Sequence, residues 1–292
     1  MERIEWLVCR AFIDKQTRET KEAILSVLSP EQKKKILALP PAASDLSLGF
    51  DKVKYLLTRS HYSWFAPFLR TLSENEISLF LAAFPEKKAE ALGKLLLFSS
   101  PLFPLTRIGQ NFLQKKLAAS LLKHIPNLPP PEALPQSPLN SLLELESETL
   151  ELLVDFLGLY DLAAEMRLII DKVTVKKIGA ALSPEKALFF SNFVNRLEPS
   201  PFKRMELASW NGKTEDLLLL ITKSGLNRLA KALYAEDPGL FEYIKLRMST
   251  DKATLFSSFY KEAEPRKAYN LLKRQIPEVL TFFKKHNLQA PS

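Results

Sequence analysis

Apolar residues recur along most of the chain at steps of three and four. Leu142, Leu145, Thr149, Leu152, Leu153 and Phe156 keep that spacing, as do Leu217, Leu220, Ile221 and Ser224. It is the period of one face of an α-helix, whereas the two-residue alternation of a half-buried strand is nearly absent. Eight glycines in 292 residues also leave few of the turn signals that a series of hairpins requires. The pattern predicts an all-α protein.

Three helix starts share one signature. Leu28-Ser29-Pro30-Glu31-Gln32, Leu72-Ser73-Glu74-Asn75-Glu76 and Leu182-Ser183-Pro184-Glu185-Lys186 each follow one apolar helical run and precede another. The serine can accept from the orphan amides of the next helix, and proline or glutamate suits its first turn. Gln32 and Glu76 stand three residues after their serines, which completes a capping box; Lys186 does not. The helices that follow run to Pro40, to Pro85 and to Glu198-Pro199. Helix, tight turn, capped helix and proline stop form a repeating unit, and repeats of this kind stack because one pair cannot bury its own apolar face.

Six prolines fall between Pro126 and Pro138, each removing a backbone donor and restraining the residue before it. No helix is expected to cross them. The segment 126–138 reads as a semi-rigid linker between an N-terminal helical unit, 1–125, and a C-terminal one, 139–292. The charge divides unevenly across it. Residues 1–125 hold 19 basic and 12 acidic side chains, a net +7, whereas 139–292 hold 22 and 20, a net +2. A basic N-terminal unit suits an acidic protein tail, an anionic membrane face or nucleic acid.

Composition narrows the classes further. An apolar fraction of 46% and a charged fraction of 25% are those of a folded globular chain. The longest apolar run, Leu92 to Phe103, contains Lys94 and Pro101 and is too short to span a bilayer. Met1-Glu2-Arg3-Ile4-Glu5-Trp6 lacks the features of a secretory leader, so the expected location is cytoplasmic. Cys9 is the single cysteine and is expected to be a buried small hydrophobe.

Sites of chemistry are not apparent. His61, His124 and His286 are far apart in sequence and none stands in a metal-spaced cluster. Glycine-rich phosphate loops, nucleophile elbows and kinase signatures are missing, and the paired acids Glu236-Asp237 and Glu146 with Glu148 read as solvated. Phe282-Phe283-Lys284-Lys285 is one faint instance of aromatics beside cations, as a nucleic-acid platform would need. The expectation is a non-enzymatic scaffold without cofactor or metal; a basic helical-repeat nucleic-acid-binding protein is the alternative.

The stretch Ser60-His61-Tyr62-Ser63 through Ala66, Leu69, Leu72, Leu81, Phe84 and Pro85 resembles the middle domain of the FliG flagellar motor-switch family. In that family a Glu-His-Pro-Gln motif opens a helix, a turn follows at Asp-Pro-Glu, and a second helix ends in Leu-Pro. His61 falls on the motif histidine, with Ser60, Tyr62 and Ser63 in place of its Glu, Pro and Gln. Leu229-Ala230-Lys231-Ala232-Leu233, then Ile244, Met248-Ser249 and Ala253, is similar to the family's torque domain in order and spacing, and residues 177–197 echo that pattern. The family carries an acidic pair and an arginine on its torque ridge. Ser258, Phe259 and Phe241 occupy those places here, and neither Phe nor Ser can supply the opposed charges that torque requires.

The resemblance, over about 60–96 and 160–284, implies armadillo/HEAT-like right-handed helical repeats in both units. It further implies a non-rotating relative in a bacterial type III secretion or flagellum-related apparatus, located at the cytosolic face of the inner membrane. Its partners would be the cytosolic tail of an inner-membrane ring protein and a cytosolic ring or sorting-platform protein. Ser60, His61, Tyr62 and Ser63 are the candidate partner-binding residues.

Overall fold

A computed structural model of the chain describes residues 3–14, 16–39, 52–125, 128–192, 205, 207, 210–260 and 266–288. Among them every regular element is helical. The chain divides into two compact units, Met1–Gln136 and Ser137–Ser292. The first holds α1 (Arg3–Asp14), α2 (Arg18–Val27), α3 (Pro30–Ala38), α4 (Lys52–Arg59), α5 (Ala66–Leu69), α6 (Glu74–Leu81), α7 (Glu86–Leu96) and α8 (Arg107–Leu122). The second holds α9 (Ser147–Met166), α10 (Lys172–Ala181), α11 (Pro184–Ser191), α12 (Thr214–Leu233), α13 (Pro238–Leu246), α14 (Thr250–Tyr260) and α15 (Arg266–Lys285). Short 3-10 turns occupy Tyr62–Phe65, Pro131–Ala133 and Pro138–Glu144.

The serine caps open α3, α6 and α11. Ser29 Oγ accepts from Gln32 N–H at 3.3 Å while Gln32 Oε1 accepts from Ser29 N–H at 3.0 Å. Ser73 donates from both its hydroxyl and its amide to Glu76 Oε2, at 2.6 and 2.8 Å, which holds the Glu76 carboxyl below its ordinary pKa. Ser183 accepts from Lys186 N–H at 3.4 Å. Of the expected proline stops, α6 ends in a turn just before Pro85; Pro40 and Glu198-Pro199 lie outside the described residues.

Unit 1 is built on α4, α7 and α8 around the Tyr62–Phe65 turn. Leu56, Phe65, Leu69, Leu92, Leu117 and Leu121 are buried there, and Phe65 meets the ring of Phe84 edge-on at 4.9 Å. Each such burial contributes roughly 1.5–3 kcal/mol. The boundary between the units falls inside the proline-rich segment, after Gln136. Leu128, Ala133 and Leu134 are buried, so that segment is packed and not merely an exposed spacer.

Unit 2 repeats itself. α12 starts and ends 67 residues after α9, and the two share Glu148/Glu215, Leu150/Leu217, Leu152/Leu219, Leu153/Leu220, Gly158/Gly225, Leu159/Leu226, Leu162/Leu229 and Ala163/Ala230. One residue fewer in the next connection brings the offset to 66, at which Asp171 and Asp237 both cap the following helix with their carboxylates. At the same offset Ile178 and Ile244 are both fully buried, and Leu182-Ser183 matches Met248-Ser249. Lys186 and Lys252 also correspond. Both reach back to α9, pairing with Asp155 at 2.7 Å and Glu151 at 3.0 Å. The unit is therefore two successive three-helix modules, α9–α11 and α12–α14, followed by α15.

Equivalent residues of the two modules touch. Thr222 Oγ1 donates to Asp155 Oδ1 at 2.6 Å, and Arg228 grips Asp161, both pairs being 67 residues apart. A constant offset means that α9 and α12 run parallel and in register. Between these pairs lie Gly158 and Gly225. A Cβ on Gly158 would sit 2.0 Å from Ile221 O, and one on Gly225 would sit 1.7 Å from Val154 O. Backbone meets backbone, a separation that only glycine permits.

A charged clamp lies one turn further on. Arg228 Nε and Nη2 donate to the two oxygens of Asp161 at 2.9 and 2.6 Å, and Nη1 donates to Gln275 Oε1 on α15 at 2.6 Å. All three side chains are buried. The planar guanidinium fork matches a carboxylate in this bidentate geometry, which lysine cannot reproduce. α15 runs antiparallel to α9, joined to it by Tyr160 OH donating to Glu278 at 2.9 Å and by Phe156, whose ring meets that of Phe283 at 4.9 Å. Phe189 of α11 closes on Phe156 at 5.0 Å and on Phe282 at 4.9 Å.

One helical expectation changes. The period through Leu142, Leu145 and Thr149 suggested one continuous helix, but the backbone breaks at Leu145 and Glu146, both extended. Buried Arg247 explains the break. Its Nη1 donates to the carbonyls of Leu142 and Leu143, at 2.9 and 3.1 Å, ending the 3-10 turn before α9 begins.

Two predictions follow from the α9–α12 contact. Gly225→Ala forces the helices apart and should destabilise unit 2 by about 3 kcal/mol, lowering its thermal midpoint by roughly 6–12 °C. Arg228→Met alone, which strands Asp161, should cost about 3–5 kcal/mol in urea unfolding, and adding Asp161→Leu should recover much of the loss.

Candidate interaction surfaces

Ser60–Ser63 forms the link between α4 and α5. Ser60 is buried, and His61 caps the 3-10 turn: its Nδ1 accepts from Ser63 N–H at 3.2 Å and lies 2.9 Å from Ser63 Oγ. The imidazole rests on Tyr62, with ring centroids 4.1 Å apart. From α7, Lys88 Nζ donates to the carbonyls of Leu57, Thr58 and Ser60 at 2.6–2.7 Å. A single ammonium thus neutralises the negative end of α4 and satisfies its last acceptors. His61, Tyr62 and Ser63 are half-buried, so a partner reaching this turn would meet them and not Ser60.

The three torque-ridge positions do not share a surface. Phe241 is buried, stacked on Phe256 at 4.7 Å and on Tyr260 at 3.8 Å. Ser258 is exposed, its hydroxyl donating to Leu255 O at 2.7 Å, and Phe259 is half-buried. Position 241 is a core position here, where an arginine would lose its hydration. Cys9 is half-buried rather than fully enclosed.

The surface that sequence reasoning missed lies in unit 1. α7 ends in a Schellman turn, with Phe98 N–H donating to Gly93 O at 2.9 Å and Leu97 N–H to Lys94 O at 3.3 Å. The left-handed position, φ 56°, is held by Leu97, which is 93% exposed. Glycine or asparagine would ordinarily stand there, because a Cβ costs about 1–2 kcal/mol in that conformation. The chain then continues without regular structure through Pro101 and Pro104 to Thr106, whose hydroxyl caps α8. Buried Ser78 pins this strap to α6: its Oγ donates to Pro101 O at 2.8 Å and accepts from Phe103 N–H at 3.1 Å.

The end of α6, α7, the strap and Gln110 of α8 line an open groove of about 690 Å³, apolar at Leu81, Phe84, Phe98 and Leu102 and charged at Glu86, Glu90 and Lys94. Leu102 and Phe103 of its lining are exposed, whereas Ile108 and Phe112 are exposed with Lys115 and Lys116 on the other face of α8 from Gln110. Exposed apolar residues this concentrated mark contact surfaces on soluble proteins. The Leu92–Phe103 run contained the signal, but only the Schellman turn shows which of its side chains face outward.

Polar clusters elsewhere join helices. Burial opposes the charge of Glu236, but Lys273, Tyr269 and Ser137 bond to it and hold its pKa below the ordinary value. Lys273 Nζ lies 2.8 Å from Glu236 Oε1 and ties α15 to the end of α12. Among the described residues no group of three His, Cys, Asp or Glu side chains is placed to hold a metal ion, and no helix is long and apolar enough to cross a membrane. No family model matches the chain, and no curated protein or solved structure is significantly similar to it.

Leu97→Gly should relieve the left-handed strain and stabilise unit 1 by about 1 kcal/mol, read as a raised urea midpoint. A lowered midpoint would mean that the Leu97 side chain packs within the chain.

Proposed function

We propose that the chain is a non-enzymatic adaptor that holds protein partners on two helical units. The observation that carries this reading is the duplication of α9–α11 as α12–α14. Stacked copies of one helical module extend a surface instead of closing around a reaction centre. The buried Arg228, Asp161 and Gln275 are engaged in joining helices, as are Gly158 and Gly225.

The setting we propose is that implied by the FliG resemblance: a component of a bacterial type III secretion or flagellum-related apparatus that links an inner-membrane ring to a cytosolic complex. Supporting it, Ser60–Ser63 lies at a helix start, Ser73 opens the next helix, and Met248-Ser249 forms the turn before α14, an order the resemblance calls for. The buried Phe241 and the uncharged Ser258 favour a scaffold over a rotor. A nucleic-acid-binding role draws on the exposed Lys115, Lys116 and Lys123 of α8.

The test is co-sedimentation of the 292-residue chain with the cytosolic tail of a ring protein and with a platform component, beside a gel shift at two salt concentrations. The adaptor reading expects both proteins to be retained. Retention of neither, or a nucleic-acid shift that weakens steeply with salt, contradicts it.

A further inference from the structure

We propose that the outer face of α8 rests on an anionic bilayer surface. Ile108 and Phe112, 83% and 59% exposed, stand one turn apart on that face. Lys115, Lys116, Ala119 and Lys123 continue it in steps of three and four, all exposed, over roughly 22 Å of helix. On the inner face Leu117, Ala118 and Leu121 are buried in unit 1, which fixes the rotation of the helix and holds the stripe outward. Apolar side chains flanked by cations, on a helix anchored by its other side, can enter the headgroup region while the ammonium groups stay at its phosphates.

Charge selects the surface. From residue 91 to residue 131 the chain has no acid, whereas Arg107, Lys115, Lys116 and Lys123 are all exposed on α8. α8 packs on α4, α6 and the Tyr62–Phe65 turn. Neither α4 nor that turn contains an acid, and the two acids of α6 are tied to serines, Glu74 to Ser100 and Glu76 to Ser73. Glu86 and Glu90 of α7 line the groove on the Gln110 side, the other face of α8. The outer side of a helix is convex and offers no hollow to the side chains of a partner helix, whereas lipid headgroups rearrange around what projects. Nucleic acid fits these residues less well: Ile108 and Ala119 have no ring for a base, and Lys116 Nζ lies over the Phe112 ring, 5.6 Å from its centroid. A second copy of this chain, net +8, brings like charge.

Binding to lipid is independent of the adaptor reading, which needs no lipid contact. The test sediments the 292-residue chain with vesicles of phosphatidylcholine alone and with vesicles containing about 30% phosphatidylserine. At low salt the anionic vesicles should retain the chain at least roughly tenfold more strongly than the neutral ones, and high salt should shrink the difference. Lys115→Glu with Lys116→Glu should weaken retention by at least roughly tenfold. Ile108→Ser with Phe112→Ser should weaken it by roughly five- to tenfold at unchanged net charge. Neither pair should lower the melting temperature, since all four side chains are exposed.

Equal retention on both kinds of vesicle, or none on either, would overturn the proposal. So would retention that the apolar pair leaves unchanged, because the lysines would then act as diffuse charge alone. A gel shift with an oligonucleotide in the absence of vesicle retention would assign the lysines to nucleic acid, and overturns it as well. Retention of ring or platform proteins bears only on the adaptor reading, so the two fail separately.

Discussion

Helices α9 and α12 approach until a carbonyl of one occupies the space where the other would carry a side chain, and the arrangement of unit 2 follows from that contact. Gly158 against Ile221 and Gly225 against Val154 set the spacing. Thr222 on Asp155 and Arg228 on Asp161 set the register, and Gln275 carries the clamp to α15. Close backbone approach supplies dispersion contact but tolerates no error in rotation or translation. The bidentate pair supplies that precision, because a one-residue slip would leave two buried charges unsatisfied.

Unit 1 uses its polar groups differently. Lys88 gathers three carbonyls at the end of α4, Ser78 anchors the strap, and Gln114 donates to Ala83 O at 2.9 Å. These bonds fix non-helical backbone and leave the groove open. Repetition orders unit 2, whereas unit 1 holds non-helical backbone beside an open groove.

Some of this could be read along the chain and some could not. The caps at Ser29, Ser73 and Ser183 were readable because capping is local, depending on side chains three residues apart. The duplication showed only as an echo in 177–197, since most of the residues shared at an offset of 67 are leucine and alanine, which any helix reuses. Gly158 and Gly225 carry no local signal, because each is required only by the backbone of the other's helix. The break at Leu145 depends on Arg247, about a hundred residues distant, and no local period reports it. Phe241 matched a ridge position in sequence, yet Phe256 and Tyr260 stack on it from α14 and make it core.

The two modules of unit 2 form one cooperative body locked along α9 and α12. Native-state hydrogen exchange tests it most directly. Amides of α9 and α12 around Gly158 and Gly225 should share the slowest exchange and open together. Exchange in which α9–α11 opens as one set and α12–α14 as another, with different free energies, would contradict it.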